Sequence, residues 1–184
     1  MRNLFGVVSV CILIVIPLAL QANTITTSVD STVEAWQDSG LYVTAGQTLD
    51  VFASGVVTGW VGNPDGWKDP DGLGIGSSIP NGPESDGFCN TANAFSLVGQ
   101  VGGVPLPEGA HGMGAGFVGS NYHQIIPTSG ELYFAFNDER GFFYDNAGAY
   151  SVTASVPEPS TFALLGVGGI SLLAYAWRRK WRAA

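Results

Sequence analysis

Four stretches of the chain alternate apolar and polar positions: Leu41-Tyr42-Val43-Thr44, Leu49-Asp50-Val51-Phe52-Ala53-Ser54, Leu132-Tyr133-Phe134-Ala135-Phe136 and Ala149-Tyr150-Ser151-Val152-Thr153-Ala154-Ser155-Val156. A period of two, carried by β-branched and aromatic residues, belongs to strands with one buried face. Turn-forming residues separate them at Ala45-Gly46-Gln47, Thr128-Ser129-Gly130-Glu131 and Ala147-Gly148. No segment between the two ends sustains a helical period, so the expected fold is all-β, a β-sandwich or jelly roll. The middle, Gly59 to Gly116, is rich in Gly, Pro, Asn and Asp and poor in pattern, which predicts long functional loops there.

The two ends carry different apolar runs. Residues 1–22 open with Met1-Arg2-Asn3, continue through the apolar Phe5 to Ile16 and close on Ala19-Leu20-Gln21-Ala22. One positive charge, an apolar core and a small residue before Asn23 read as a secretory signal peptide with cleavage expected after Ala22; the alternative is an uncleaved membrane anchor. At the other end, residues 157–182 hold Pro157-Glu158-Pro159-Ser160, an apolar stretch from Phe162 to Trp177 and then Arg178-Arg179-Lys180-Trp181-Arg182. The apolar part predicts a C-terminal hydrophobic helix of roughly sixteen residues, just short of the ~20 that span a bilayer. The basic cluster holds its end on the cytoplasmic side and leaves the domain outside. Proline-Glu-proline, hydrophobic helix and Arg-rich end in that order resemble the PEP-CTERM sorting tail of Gram-negative bacteria. The resemblance implies an exosortase as processing partner, a transient stay at the inner membrane, and delivery to the cell surface or extracellular matrix.

Residues 23–156 then form one mature domain. Its only basic residues are Lys68 and Arg140, against fourteen acidic ones, a formal charge of −12. Such a surface repels nucleic acid and anionic lipid and attracts cations. Cys11 leaves with the leader, so Cys89 has no partner within the mature chain. It is either a buried small hydrophobe or a link between chains, which leaves a homo-oligomer open.

The most informative segment is Phe136-Asn137-Asp138-Glu139-Arg140-Gly141-Phe142-Phe143-Tyr144-Asp145-Asn146-Ala147-Gly148. A strand delivers Asp138 into a loop, and Asp145 and Asn146 precede the next strand. Three oxygen-bearing side chains on one hairpin loop, with a backbone carbonyl between them, can converge on a hard cation, and Ca2+ is the natural occupant outside cells. The alternative is that Asp138 and Asn146 only form Asx-turns. The segment resembles the calcium-dependent galactophilic lectin I (PA-IL-like) family. That resemblance implies a galactose-binding-like sandwich in which Asp138, Asp145 and Asn146 bind calcium through side chains and Phe142 through its carbonyl. It also implies that Asp138, Asp145 and Asn146 touch the hydroxyls of a bound carbohydrate, here a sugar or an exopolysaccharide.

The resemblance covers roughly residues 33–156. It includes Trp36-Gln37-Asp38-Ser39-Gly40-Leu41-Tyr42-Val43, Ala45-Gly46-Gln47-Thr48-Leu49-Asp50-Val51 and Leu97-Val98-Gly99-Gln100-Val101-Gly102. A further backbone ligand is implied near Gly59 or Trp60. Where the family's galactose binder carries a histidine and a glutamine, this chain has Gly82-Pro83-Glu84-Ser85, so the resemblance stops short of galactose preference. Trp60, Trp67 and Tyr144 are candidate platforms for sugar rings.

A second acidic run and candidate cation site, Asn63-Pro64-Asp65-Gly66-Trp67-Lys68-Asp69-Pro70-Asp71-Gly72, has the Asp-x-Asp-Gly of calcium loops but lacks their later glutamate, and reads sooner as a solvated turn cluster than as a cation site. His111 and His123 are the only histidines, and no Gly-x-Ser-x-Gly, His-Glu-x-x-His or Cys-His pairing accompanies them. The expectation is a carbohydrate-binding protein rather than an enzyme. The rival is a structural matrix protein whose calcium only stiffens the loop.

Overall fold

In a computed structural model, residues 22–62, 66–74, 82–157 and 161–182 are described. All of the predicted leader but Ala22 lies outside them, as do Asn63-Pro64-Asp65 of the second acidic run and Glu158-Pro159-Ser160 of the tail.

Two antiparallel sheets form the domain. One holds β1 (Asn23–Asp30), β9 (Ala147–Val156), β3 (Thr48–Thr58) and β4 (Trp67–Lys68) in that order, with β7 (Asn121–Ile125) also paired to β3. The other runs β2 (Gln37–Val43), β8 (Gly130–Phe136), β5 (Leu97–Val101) and β6 (Val104–Pro105). The all-β, two-sheet expectation holds. Alternation explains the core: Leu49, Val51 and Val57 of β3 and Tyr150, Val152, Ala154 and Val156 of β9 are buried, and they meet Leu41, Val43, Leu97, Val101, Leu132, Phe134 and Phe136 of the other sheet.

Three features differ from the sequence expectation. β5 lies within the stretch whose composition predicts loop, at Leu97–Val101, where the family resemblance implies a middle strand; Leu97, Val98 and Val101 are buried. β1 was not expected: its outward Thr24, Thr26 and Ser28 weaken the apolar signal, and the strand is held by eight consecutive register pairs with β9. Most consequential, β8 and β9 are not a hairpin. They belong to different sheets, so residues 137–146 form a crossover at one end of the sandwich. Local alternation fixes which face of a strand is buried, not which strand lies beside it.

The tail forms α1 (Thr161–Arg182). Among the described residues no helix is long and apolar enough to cross a membrane. Gly166, Gly168, Gly169 and Ser171 interrupt the apolar run.

Candidate functional site

The crossover is pinned from beneath. Phe143 is buried against Phe88 and Phe136, with ring centroids 5.9 and 6.4 Å apart, while its neighbours Phe142 and Tyr144 face outward. A short 3-10 turn, Phe143–Asp145, follows from that single inward ring. At the start of the crossover Asn137 is fully buried. Its Oδ1 accepts from the Cys89 N–H at 3.0 Å and its Nδ2 donates to the carbonyls of Cys89 and Asn93, each at 3.1 Å. The middle loop is thereby tied to the residue before Asp138.

Asp138 is only 4 % exposed. Its Oδ1 accepts from the Glu139 N–H at 2.8 Å, whereas Oδ2 is buried and has no donor. Asn146 is 5 % exposed, and its Nδ2 donates to the Ser31 carbonyl at 2.9 Å. That bond fixes which end of the amide is oxygen, and Asn146 Oδ1 is again buried without a donor. Asp145 Oδ1 is the third such atom. Buried acceptors are nearly always paired, so three unpaired ones on residues brought together by one crossover require a cause. The Phe142 carbonyl accepts only a long bond from the Asp145 N–H, at 3.4 Å.

Electrostatics agree with the geometry. Burial pushes the Asp138 carboxyl above the usual carboxylate range; the Asn146 side chain and the Glu139 N–H pull it partly back, and the charges of Glu84 and Asp145 push it up. The loop after β3 also reaches the site, since the Val61 N–H donates to the Asp145 carbonyl at 2.8 Å. That places the Gly59–Trp60 segment, from which a further carbonyl was expected, next to Asp145. Trp60 and Tyr144 stand 64 % and 81 % exposed on these two segments.

The structure thus brings Asp138, Asp145 and Asn146 together. Sequence reasoning missed Ser31, which aims Asn146, and the effect of Glu84 on Asp138; neither has a local signal, because each partner is distant along the chain. Among the described residues no group of three or more His, Cys, Asp or Glu gathers at metal distance. The expected shell does not need one, since it has two carboxylates, one amide and one carbonyl.

The second acidic run is corrected. Its described part is strand β4 followed by a half-buried turn at 69–72 that is bonded to the chain: Asp69 Oδ1 accepts from the N–H groups of Asp71 and Leu73, and Asp71 accepts from Ser120 N–H at 2.8 Å and Ser120 Oγ at 2.7 Å. The Asp71 carboxylate and Asp69 Oδ1 already have donors from the chain itself. Cys89 is buried and free, and burial pushes its thiol up to about 11. His123 meets Asp50 across the β3–β7 pair, and His111 rests against the Phe117 ring.

Comparison with known proteins gives this geometry a family. Lectin A of Photorhabdus laumondii subsp. laumondii is 30 % identical over 125 residues, which are 68 % of this chain and 85 % of that protein. The chain belongs to the Lectin A family. A solved lectin-fold domain, the N-terminal domain of EclA, described as a PllA-like lectin, superposes with a TM-score of 0.51 over 72 % of this chain and 95 % of its own, at 22 % identity. That likeness supports the fold of the lectin-like domain. Residues 155–180 match the PEP-CTERM protein-sorting motif, which marks the protein for export to the envelope of a Gram-negative cell.

Proposed function

We propose that the lectin-like domain binds carbohydrate through a calcium ion held by the 137–146 crossover, and that it is a binding protein rather than an enzyme. The observation that carries this reading is the set of buried oxygens without donors: Asp138 Oδ2, Asp145 Oδ1 and Asn146 Oδ1. Carboxylate, amide and carbonyl oxygens are the hard ligands that calcium prefers, and a cation removes the cost of leaving them unpaired. With the Phe142 carbonyl they supply four ligands. When bound, the ion offers positions to vicinal hydroxyls that would otherwise prefer water.

This chain's residues do the rest. Ser31 fixes the Asn146 amide and Phe143 anchors the crossover. Trp60 and Tyr144 provide exposed apolar faces on which a sugar ring can stack. The sorting tail would bring α1 to the inner membrane for an exosortase and deliver the domain to the surface or the exopolysaccharide matrix.

Calorimetric titration tests the reading. Calcium should release heat and raise the Tm of the wild-type protein, and saccharides should bind only afterwards and be displaced by chelator. Asp145→Ala should lose both responses while keeping its β-sheet circular dichroism. Calcium binding without any saccharide response would favour the structural rival, and absence of both would refute the site.

A further inference from the structure

The middle loop has two sides. On one, Glu84 acts on Asp138. On the other, Gly82 and Pro83 wall a cleft of about 400 Å³ that also takes in Thr91, Asn93, Glu108 and Met113. None of its lining residues belongs to the 137–146 crossover. The cleft is tied to the proposed calcium centre through its own lining: Pro83 and Asn93 pair as a β-bridge, and the Asn93 carbonyl is held by Asn137, the residue before Asp138.

We infer that this cleft is a second sugar subsite, which takes the residue next to the one seated on calcium and makes the protein a reader of glycan chains. The inference rests on the carbohydrate reading above. Its volume falls within the ~300–1,000 Å³ of ordinary ligand pockets. The lining chemistry selects the occupant. Acceptors predominate: Asn93 is 4 % exposed, with its Nδ2 donating to the Asp71 carbonyl at 2.9 Å and its buried Oδ1 without a donor. Glu108 Oε1 receives only a 3.4 Å contact from the Gly114 N–H, which a better donor can replace. The Thr91 hydroxyl is engaged with the Ala115 carbonyl at 3.2 Å. No Lys or Arg is among the described residues that line the cleft, and Met113 and Pro83 add apolar surface. A ligand must therefore bring hydrogen-bond donors and a C–H face without negative charge, which describes a neutral sugar residue and excludes a uronic acid.

The test uses the full-length, calcium-loaded protein with galactose, glucose, mannose and fucose, and with neutral di- and trisaccharides ending in each. For a matching terminal sugar, the second residue should tighten binding by about tenfold, the gain expected from one or two added hydrogen bonds with some apolar contact. A uronic acid in that second position should bring no gain. Thr91→Trp, which fills the cleft from an exposed position, and the isosteric Glu108→Gln should each erase most of that gain. Both should leave calcium affinity and single-sugar affinity unchanged. If single sugars bind but the second residue adds nothing, or if both variants weaken single and longer sugars equally, the cleft is not a subsite and the calcium site stands. If calcium binds and no saccharide of any length does, the carbohydrate reading falls and takes the subsite with it.

Discussion

Asp138 combines two demands that oppose each other in the free protein. Its buried carboxylate is costly when charged, yet a cation needs it charged. Because its pKa is raised on folding, the native state holds more protons than the unfolded chain between the two pKa values. Without calcium, stability therefore falls as pH rises through that carboxylate range. Calcium competes with the proton, so its affinity should fall on acidification at a higher pH than for an exposed aspartate site. Asp138→Asn removes the charge: thermal melts in chelator should show a flatter pH dependence and a Tm at neutral pH no lower than wild type. Calcium should no longer raise that Tm. A wild-type-like calcium response in the variant would remove Asp138 from the shell.

At the scale of elements, the crossover depends on one ring turned inward. Phe143→Ala should cost about 3–5 kcal/mol, the usual loss for a buried phenylalanine, and weaken calcium binding by loosening the turn that carries Asp145. Phe142→Ala should change both little, because Phe142 is 45 % exposed and its proposed contribution is its backbone carbonyl. Denaturant unfolding and calcium titration of the pair separate the two roles. An equal loss in both would mean that the Phe142 side chain matters after all.

These elements also show how far sequence reasoning carried. β3, β8 and β9 were legible because Leu49, Val51, Leu132, Phe134, Tyr150 and Val152 alternate with polar or small neighbours in long strands. β1 and β7 were not, since Thr26 and His123 face outward and β7 buries only Tyr122 among its own five residues. The pattern around Asp138, Asp145 and Asn146 named the residues that meet, but their setting was misjudged as a hairpin. The strand that neighbours β9 on one side is β1, and its partner at Tyr150 is Val29, far back in the chain. Ser31 was invisible for the same reason, its contact with Asn146 spanning 115 residues.

For the whole molecule, the described core lies within the sandwich. The buried apolar residues among those described end with Val156, and none is a described residue of α1. A chain ending after Pro157 should therefore melt within a degree or two of the full-length protein and bind calcium with unchanged affinity, as differential scanning calorimetry and titration would show. A markedly lower Tm would reveal a structural role for the helix. The charge of −12 on residues 23–156 adds a further consequence at this scale. Divalent cations should raise stability beyond what monovalent salt does at equal ionic strength, because screening alone cannot satisfy the buried acceptors.

The pairing of β1 with β9 joins the first and last strands of the domain, and the Ser31–Asn146 bond lies beside it. A chain threaded through the secretion channel from its N-terminus cannot close this seam until its final strand has emerged. Until then Asn146 has no Ser31 to orient it and Asp138 has no enclosed position to occupy. The proposed calcium grip would thus mature only once the domain is fully outside, where the ion is plentiful, and the order of translocation would itself guard against premature loading in the cytoplasm.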